Sequence, residues 1–173
     1  TKAVAHIIEV SGRIDILINN AGYGSYGAIE NVPISEAKKQ FDTNLFGLAK
    51  LTQLVLPYMR AQQSGRIINV SSMAGRMTTY MGAWYHATKY ALEGFSDALR
   101  MEVKPFGIDV VLIEPGGIKT NWGIIAADNL KKPSQVTAYQ EHDLAASERM
   151  RQLYSSDKLT NPEVIADTIV KSV

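Results

Sequence analysis

The stretch RIINVSS, residues 66–72, decides the fold, because this short apolar run ends in two small polar residues. Apolar runs of about four to eight residues are typical of strands that a parallel sheet buries on both faces. Two further runs of this kind are IDILIN at residues 14–19 and IDVVLIEPG at residues 108–116. The three runs predict three strands of one parallel sheet.

Sequence with helical spacing separates these runs. Six residues recur every three or four positions, which places them on one helix face: Phe41, Leu45, Leu48, Thr52, Val55 and Met59. Pro57 is expected to kink or end that helix. A second helix is predicted over residues 84–104, and the first dozen residues are typical of the last part of another helix, ending near Gly12. The order predicts an α/β layered domain with right-handed crossovers, and residues 1–173 are interpreted as one domain.

Composition narrows the class of partner. The chain has 173 residues and a net charge of +1, so it offers neither a nucleic-acid footprint nor a polybasic membrane patch. No apolar run reaches the roughly 18 residues of a membrane span. Cysteine is absent, which excludes disulfides and suits a reducing cytosol, and the three histidines are too scattered to predict a metal site. A cytoplasmic protein with a small-molecule or protein partner is expected.

The spacing Gly22-x-Gly24-x-x-Gly27 matches the glycine fingerprint of dinucleotide-binding folds, but its context does not. That fingerprint needs a helix that opens at the third glycine and an acidic residue about 20 positions on, at the end of the next strand. Here AIENVP follows Gly27, and the acid at that distance, Asp42, lies within an apolar-striped helix. We therefore interpret this stretch as a loop after a strand, which is where open α/β sheets bind ligands.

The stretch YHATK, residues 85–89, carries the strongest chemical signal. Tyr85 and Lys89 are four residues apart on a predicted helix, so their side chains lie on the same face. An ammonium about 4 Å from a phenol would lower its pKa by up to about three units at an effective dielectric near 20, which would make the tyrosine a useful acid or base. The alternative is that this is an ordinary pair on an amphipathic helix.

Two further polar residues fit a site. Ser72 closes the predicted strand at residues 66–72, where its hydroxyl would share a substrate oxygen with Tyr85, although a serine there is also a common turn former. Asn44 is polar within an apolar helix, so it either lies on a wet face or serves a site.

Taken in order and spacing, NNAG, DTNLFG, INVSS, YHATK and EPGG followed by Thr120 resemble the classical short-chain dehydrogenase/reductase family, over residues 1 to about 120. The resemblance implies a doubly wound Rossmann-type sheet, a cofactor that is NAD(H) or NADP(H), and hydride transfer between an alcohol and a carbonyl. It implies Tyr85 as acid/base, Ser72 as the residue that orients the substrate oxygen, and Lys89 as the residue that lowers the tyrosine pKa and holds the nicotinamide ribose. Asn44 would support a water-linked proton relay.

The resemblance also implies the cofactor contacts. Besides Asn44, Tyr85 and Lys89, they are Asn20, Ala21, Gly22, Pro115, Gly116, Ile118 and Thr120. The family pairs the helices that hold Asn44 and Tyr85 across a two-fold axis, which implies a homodimer or homotetramer.

One departure from the family is an absence. The family's glycine-rich turn and first two strands precede NNAG by a long stretch, whereas residues 1–18 precede it here. We interpret the chain as the middle and catalytic part of a longer protein, with a sheet incomplete at both ends. The alternative is a non-catalytic α/β scaffold or binding module that lacks a complete cofactor site.

Substrate choice is marked by flexible and aromatic side chains. Residues 73–84 and Trp122 supply methionines and aromatic rings that favour a bulky apolar alcohol or ketone, or else pack an interface or cover the core. The resemblance leans towards the hydroxysteroid and retinol dehydrogenase-like branch. Residues 119–160 are predicted to form a mobile lid over the substrate cleft, or an ordinary surface excursion.

Overall fold

The three predicted strands form one parallel sheet. The computed structural model describes residues 2–130 and 138–173. Strands β1 (Ile16–Asn19), β2 (Gly65–Val70) and β3 (Ile108–Ile113) lie in the order β1-β2-β3. Ile18 pairs with Ile68, which in turn pairs with Val111. The prediction of an α/β fold with a parallel sheet is confirmed.

Seven α-helices surround this sheet in the described residues. They are α1 (Lys2–Ser11), α2 (Ile34–Phe41), α3 (Leu48–Gln62), α4 (Ala83–Val103), α5 (Trp122–Leu130), α6 (Gln140–Tyr154) and α7 (Pro162–Lys171). The predicted end of α1 is confirmed by Gly12, whose φ of +71° suits glycine, and the predicted helix over residues 84–104 is α4.

The central strand is covered on both faces, because the consecutive side chains of Ile67 and Ile68 are both fully buried. Ile67 packs in a core with Val55 and Met59 of α3 and Leu99 of α4. This burial explains why β2 is a continuous apolar run rather than an alternating one. Because β2 is held in this way, the position of the residues that follow it at the carboxyl end of the sheet is also fixed.

The helix before the sheet's central strand differs from prediction. Pro57 lies inside α3, which continues to Gln62, so the expectation that it ends the helix is wrong. Val55 and Met59, buried on either side of it, hold α3 against the sheet. The irregularity lies earlier, at a π-helical turn (Asp42–Gly47) that joins α2 to α3 without a break.

The predicted lid contains two helices that pack on each other. The Ser147 hydroxyl of α6 donates to the Ala127 carbonyl of α5 at 2.7 Å, and Arg151 pairs with Asp128. Residues 131–137 of the predicted lid lie outside the described residues. Among the helices that the structure describes, none is both long and apolar enough to pass through a bilayer.

Candidate active site

The candidate site is a cavity of about 340 Å³ where the three strands end. Its lining includes Asn20 after β1, Ser72 after β2 and Pro115 after β3. Because the strands are parallel, their carboxyl ends lie at the same edge of the sheet, which brings these residues together. The other predicted site residues in its lining are Gly22, Tyr85, Lys89, Gly116, Ile118 and Thr120. Of the predicted residues, all described, only Ala21 and Asn44 lie outside the lining.

Tyr85 and Ser72 meet in this cavity. Both residues line it, and the interaction with Ser72 acts to lower the Tyr85 pKa. The Ser72 hydroxyl donates to the Pro115 carbonyl at 3.4 Å and accepts from the Ala74 N–H at 3.1 Å. This second bond caps a short 3₁₀ turn (Met73–Gly75) and fixes the rotamer of Ser72. The neighbouring Ser71 hydroxyl is buried, with no hydrogen-bond partner in the part of the chain that the structure describes. Ser72 is therefore the serine that the structure brings to Tyr85.

The pKa of Tyr85 departs from the expected direction. Burial raises the pKa of Tyr85 to about 12, and the interaction with Ser72 acts in the opposite direction. The predicted lowering by Lys89 is not seen in the chain alone, because the Lys89 Nζ lies 6.0 Å from the centre of the Tyr85 ring. The sequence reasoning assumed about 4 Å and did not include the loss of water around the phenol.

Lys89 is a buried cation, only 6% exposed. Its Nζ donates to the Val70 carbonyl at 3.0 Å and lies 4.0 Å from the point where a Cβ on Gly22 would be. Burial lowers the pKa of Lys89 to about 8, while the nearby Glu93 carboxylate raises it. An ammonium has three donors, so two remain for a ligand after the Val70 bond.

Asn44 is a buried residue whose side chain joins two segments beside the cavity by hydrogen bonds. It is 1% exposed in the π-helical turn, where its amide oxygen accepts from the Tyr23 N–H at 3.0 Å. Its amide nitrogen donates to the Tyr23 carbonyl at 2.8 Å and to the Thr88 hydroxyl at 3.1 Å. Asn44 thus links the backbone at Tyr23, the residue after NNAG, to Thr88 of α4. A proton relay at Asn44 stays a prediction.

The loop of the glycine motif has the context that the sequence analysis expected. No helix opens at Gly27, since α2 begins at Ile34. Gly27 has a φ of +155°, and its N–H donates to the Met81 carbonyl at 2.8 Å. The motif is therefore a loop at the rim of the cavity and not a helix-opening phosphate turn.

An aromatic cluster covers Tyr85. The ring centre of Trp122 lies 5.1 Å from that of Tyr85, and Tyr26 lies 5.6 Å from it. Tyr154 of α6 packs on Trp122 at 6.1 Å. We call Tyr26, Trp122 and Tyr154 the aromatic wall. The sequence analysis named Trp122 and missed the two tyrosines, which are distant in the chain.

Two glycines, Gly24 and Gly123, leave the space that the rings of this wall occupy. A Cβ on Gly24 would lie 2.6 Å from the Trp122 ring, and one on Gly123 would lie 2.1 Å from the Tyr154 ring. Both rings therefore lie directly on glycine backbone. Met73 and Met77 also line the cavity, as the sequence analysis expected of residues 73–84.

His86 has a structural role in α4. It is 3% exposed, and its ring nitrogens contact the Ala74 carbonyl at 3.0 Å and the Thr79 N–H at 2.8 Å. These contacts tie α4 to residues 74–79, which follow Ser72. No group of three or more potential metal ligands occurs among residues 2–130 and 138–173.

The residues present fit part of a nicotinamide cofactor. Gly22 has no side chain, which leaves space for a ligand beside the Lys89 ammonium. A Cβ at Gly22 would occupy that space, 3.2 Å from the Asn44 amide oxygen and 4.0 Å from the Lys89 Nζ. Lys89 and Tyr85 offer donors for ribose hydroxyls, and the backbone at Gly116 and Ile118 lines the same cavity. These residues would hold the nicotinamide end of the molecule.

Comparison with known proteins shows the family of the chain. The family model for short chain dehydrogenases matches residues 1–131. A probable short-chain type dehydrogenase/reductase of Helicobacter pylori is 43% identical over 156 residues, which are 90% of this chain and 56% of that protein. An NADPH-dependent 3-dehydrocapnine reductase of Ornithobacterium rhinotracheale is 44% identical over 129 residues, covering 70% of this chain and 46% of that protein.

A solved short-chain dehydrogenase from Streptomyces avermitilis has the same fold, with a TM-score of 0.73 and 35% identity over 87% of this chain and 55% of that one. The chain therefore belongs to the short-chain dehydrogenase family, whose cofactor is NAD(H) or NADP(H). It spans about half the length of the relatives it matches.

Proposed function

We propose that the protein is an NAD(P)-dependent oxidoreductase that interconverts a secondary alcohol and a carbonyl, with Tyr85 as its acid/base. The observation that carries this proposal is that Tyr85, Ser72 and Lys89 line one cavity at the carboxyl ends of the strands. A bound nicotinamide cofactor supplies or accepts the hydride. The remaining needs of the reaction are a proton at the substrate oxygen and a fixed position for that oxygen.

Tyr85 and Ser72 meet those needs together. In the direction of reduction, the Tyr85 hydroxyl donates its proton to the substrate oxygen while the Ser72 hydroxyl holds that oxygen by a second hydrogen bond. In oxidation, Tyr85 takes the proton back as a phenolate. Lys89 stabilises that phenolate by its positive charge and contacts the ribose with its free donors.

The proposed substrate is a bulky apolar ketone or alcohol, such as those of the hydroxysteroid and retinol branch. The support is the lining, in which Met73, Met77 and Leu153 face the same space as Trp122 and Tyr154. Flexible thioethers and aromatic rings bind apolar molecules through contact area. The relative named for 3-dehydrocapnine reduction adds support for a carbonyl substrate and for NADPH. In this proposal residues 119–130 and 138–160 belong to the lid over that substrate.

The test compares Tyr85→Phe with Tyr90→Phe in the full-length protein. Tyr90 is on the same helix but 45% exposed, which makes it a matched control. With a steroid ketone and a long-chain alkyl ketone as probes, oxidation of NADPH and NADH is followed by absorbance. Tyr85→Phe should lose at least about a hundredfold in turnover, the usual contribution of a positioned acid/base, and Tyr90→Phe should lose nothing.

Cofactor binding separates the two candidate functions. Tyr85→Phe should still enhance or quench the fluorescence of the reduced cofactor as the unaltered protein does. Near-normal turnover in Tyr85→Phe would contradict the role of Tyr85. Full-length protein that binds no reduced cofactor would instead favour the scaffold or binding module.

We also propose a cytoplasmic homodimer or homotetramer built on the helices that hold Asn44 and Tyr85. The support is that the Phe46 side chain, two residues after Asn44, is 58% exposed. Light scattering at micromolar concentration should give two or four times the chain mass. A monomer would contradict this assembly.

A further inference from the structure

A third buried residue continues the stripe that Tyr85 and Lys89 begin on α4. Glu93 lies four residues after Lys89, on the same helix face, and the three are 7%, 6% and 5% exposed in chain order. The reaction as proposed above gives Glu93 no part. A buried carboxylate one turn from a buried ammonium is nonetheless the strongest charged feature beside the cavity.

The surroundings of Glu93 hold few groups that stabilise a negative charge. Neither carboxylate oxygen accepts a hydrogen bond from any residue that the structure describes. Arg76 forms an ion pair with it, Nη2 to Oε2 at 2.9 Å, but the angle is too poor for a hydrogen bond. Arg76 is shared with Glu114, which it contacts at 2.9 Å, and its side chain is 56% exposed.

The charged groups around this point alternate in sign. Lys89 and Arg76 are the cations that act on Glu93, while Glu114 and, more weakly, Asp97 act on Arg76. Lys89 does not touch Glu93, since no ion pair within 4.0 Å joins them in the described residues. The two charges therefore act on each other through a poorly hydrated interior, where attraction is stronger than in water.

Glu93 also lies beneath the turn that carries Ser72. A Cβ on Gly75 would be 2.8 Å from the Glu93 Cγ, so the backbone of this turn rests on the side chain of Glu93. Arg76, the next residue, closes over the carboxylate. The same side chain thus meets both Lys89's helix and Ser72's turn.

A neutral side chain of similar volume would fill this space without the cost of burying a charge. What a carboxylate adds is a negative potential one turn from Lys89. That potential opposes the effect of burial, which alone would favour loss of the Lys89 proton.

We propose that Glu93 is a positioning residue of the active site, whose carboxylate is the buried counter-charge that keeps Lys89 an ammonium ion and, with Arg76, seats the turn that carries Ser72. This inference rests on the proposed function, because it matters only if Lys89 works as a cation. Without Glu93, a larger fraction of Lys89 is neutral at a working pH near 7 to 8, and it stabilises the Tyr85 phenolate less.

The experiment is a pH titration of Lys89 by NMR in protein labelled with carbon-13 at the lysine ε-carbons. The Lys89 signal is assigned by its loss in Lys89→Arg. Glu93→Gln should lower the titration midpoint of Lys89 by about one pH unit, a tenfold loss of proton affinity. Glu93→Asp should stay near the unaltered value. Glu102→Gln, an exposed site on the same helix, is the matched control and should change nothing.

Arg76→Gln supplies a second arm at an exposed side chain, which keeps the test valid even if Glu93→Gln fails to fold. Removing Arg76 leaves Lys89 as the main cation near Glu93, so the Lys89 midpoint should rise. Opposite shifts in the two variants are the expected result. An unchanged midpoint in folded Glu93→Gln, or no rise in Arg76→Gln, would overturn the proposal.

The titration needs neither substrate nor turnover, so it judges Glu93 independently of the Tyr85→Phe result. In a protein that passes both tests, Glu93→Gln should also move the upper limb of the pH profile for carbonyl reduction to lower pH, because Lys89 loses its proton there, with little change in KM. A lower melting temperature with an unmoved Lys89 midpoint would mean that Glu93 is a packing residue only.

Discussion

The two sides of the cavity are built from different kinds of contact. On the side of β2 and α4, short directional bonds hold the polar groups: Asn44 to Thr88 at 3.1 Å and Lys89 to Val70 at 3.0 Å. On the side of α5 and α6, the rings of the aromatic wall contact each other with centres 6.1 and 6.2 Å apart. Directional bonds define one geometry, whereas edge-on and tilted ring contacts tolerate small shifts. The first side suits fixed chemistry and the second suits substrates of varied shape.

The largest way to break this contrast is to remove Asn44. Asn44→Ala deletes one buried and two part-buried hydrogen bonds and leaves the Tyr23 backbone groups without these partners, so we expect a loss of about 3 kcal/mol in the free energy of unfolding. Urea denaturation measures it. Gln53→Ala, at an exposed position of α3, is the control and should change the free energy by less than about 0.5 kcal/mol. Equal losses of unfolding free energy in both variants would contradict the view that directional hydrogen bonds hold the β2 and α4 side of the cavity.

A smaller effect is expected on the aromatic wall. Gly24→Ala places a methyl group 2.6 Å from the Trp122 ring, and that ring has room to shift towards the cavity. We expect a loss of about 1 to 2 kcal/mol in unfolding free energy, a raised KM for bulky ketones, and little change in kcat.

Gly94→Ala is the matched control for that variant. Gly94 lies within α4, and a Cβ there meets nothing within 4 Å. It should therefore stabilise the protein by about 0.5 to 1 kcal/mol, since alanine is the better helix former. A kcat fall in Gly24→Ala without a KM change would place the wall among the groups that set the chemistry, against the contrast drawn above.

The same division explains what the sequence could and could not predict. Strands with continuous apolar runs and helices with three-to-four spacing were predictable, because burial on regular elements leaves a periodic pattern. Tyr85 and Lys89 lie on such an element and Ser72 follows one, so their shared location was predictable, while their roles stay predictions. Tyr26 and Tyr154 were not, since their meeting at Trp122 depends on tertiary packing between distant segments.

Electrostatics at the site were harder to predict than position. The spacing of Tyr85 and Lys89 predicted a shared face of α4, but it could not indicate the burial that raises the Tyr85 pKa. The π-helical turn was also missed. Apolar spacing cannot tell a helix bonded to the fifth residue back from one bonded to the fourth over so short a stretch.

That turn has a geometric consequence for the whole helix that contains it. Each residue of an α-helix advances about 100° around the axis, so one additional residue in a turn changes the angular phase of everything that follows. Before the turn, Gln40 faces the NNAG loop and holds the Ser25 N–H; after it, Val55 and Met59 face the sheet. The continuous helix formed by α2, the π-helical turn and α3 therefore packs against two different segments in two different directions. Asn44 lies in the turn where the angular phase changes.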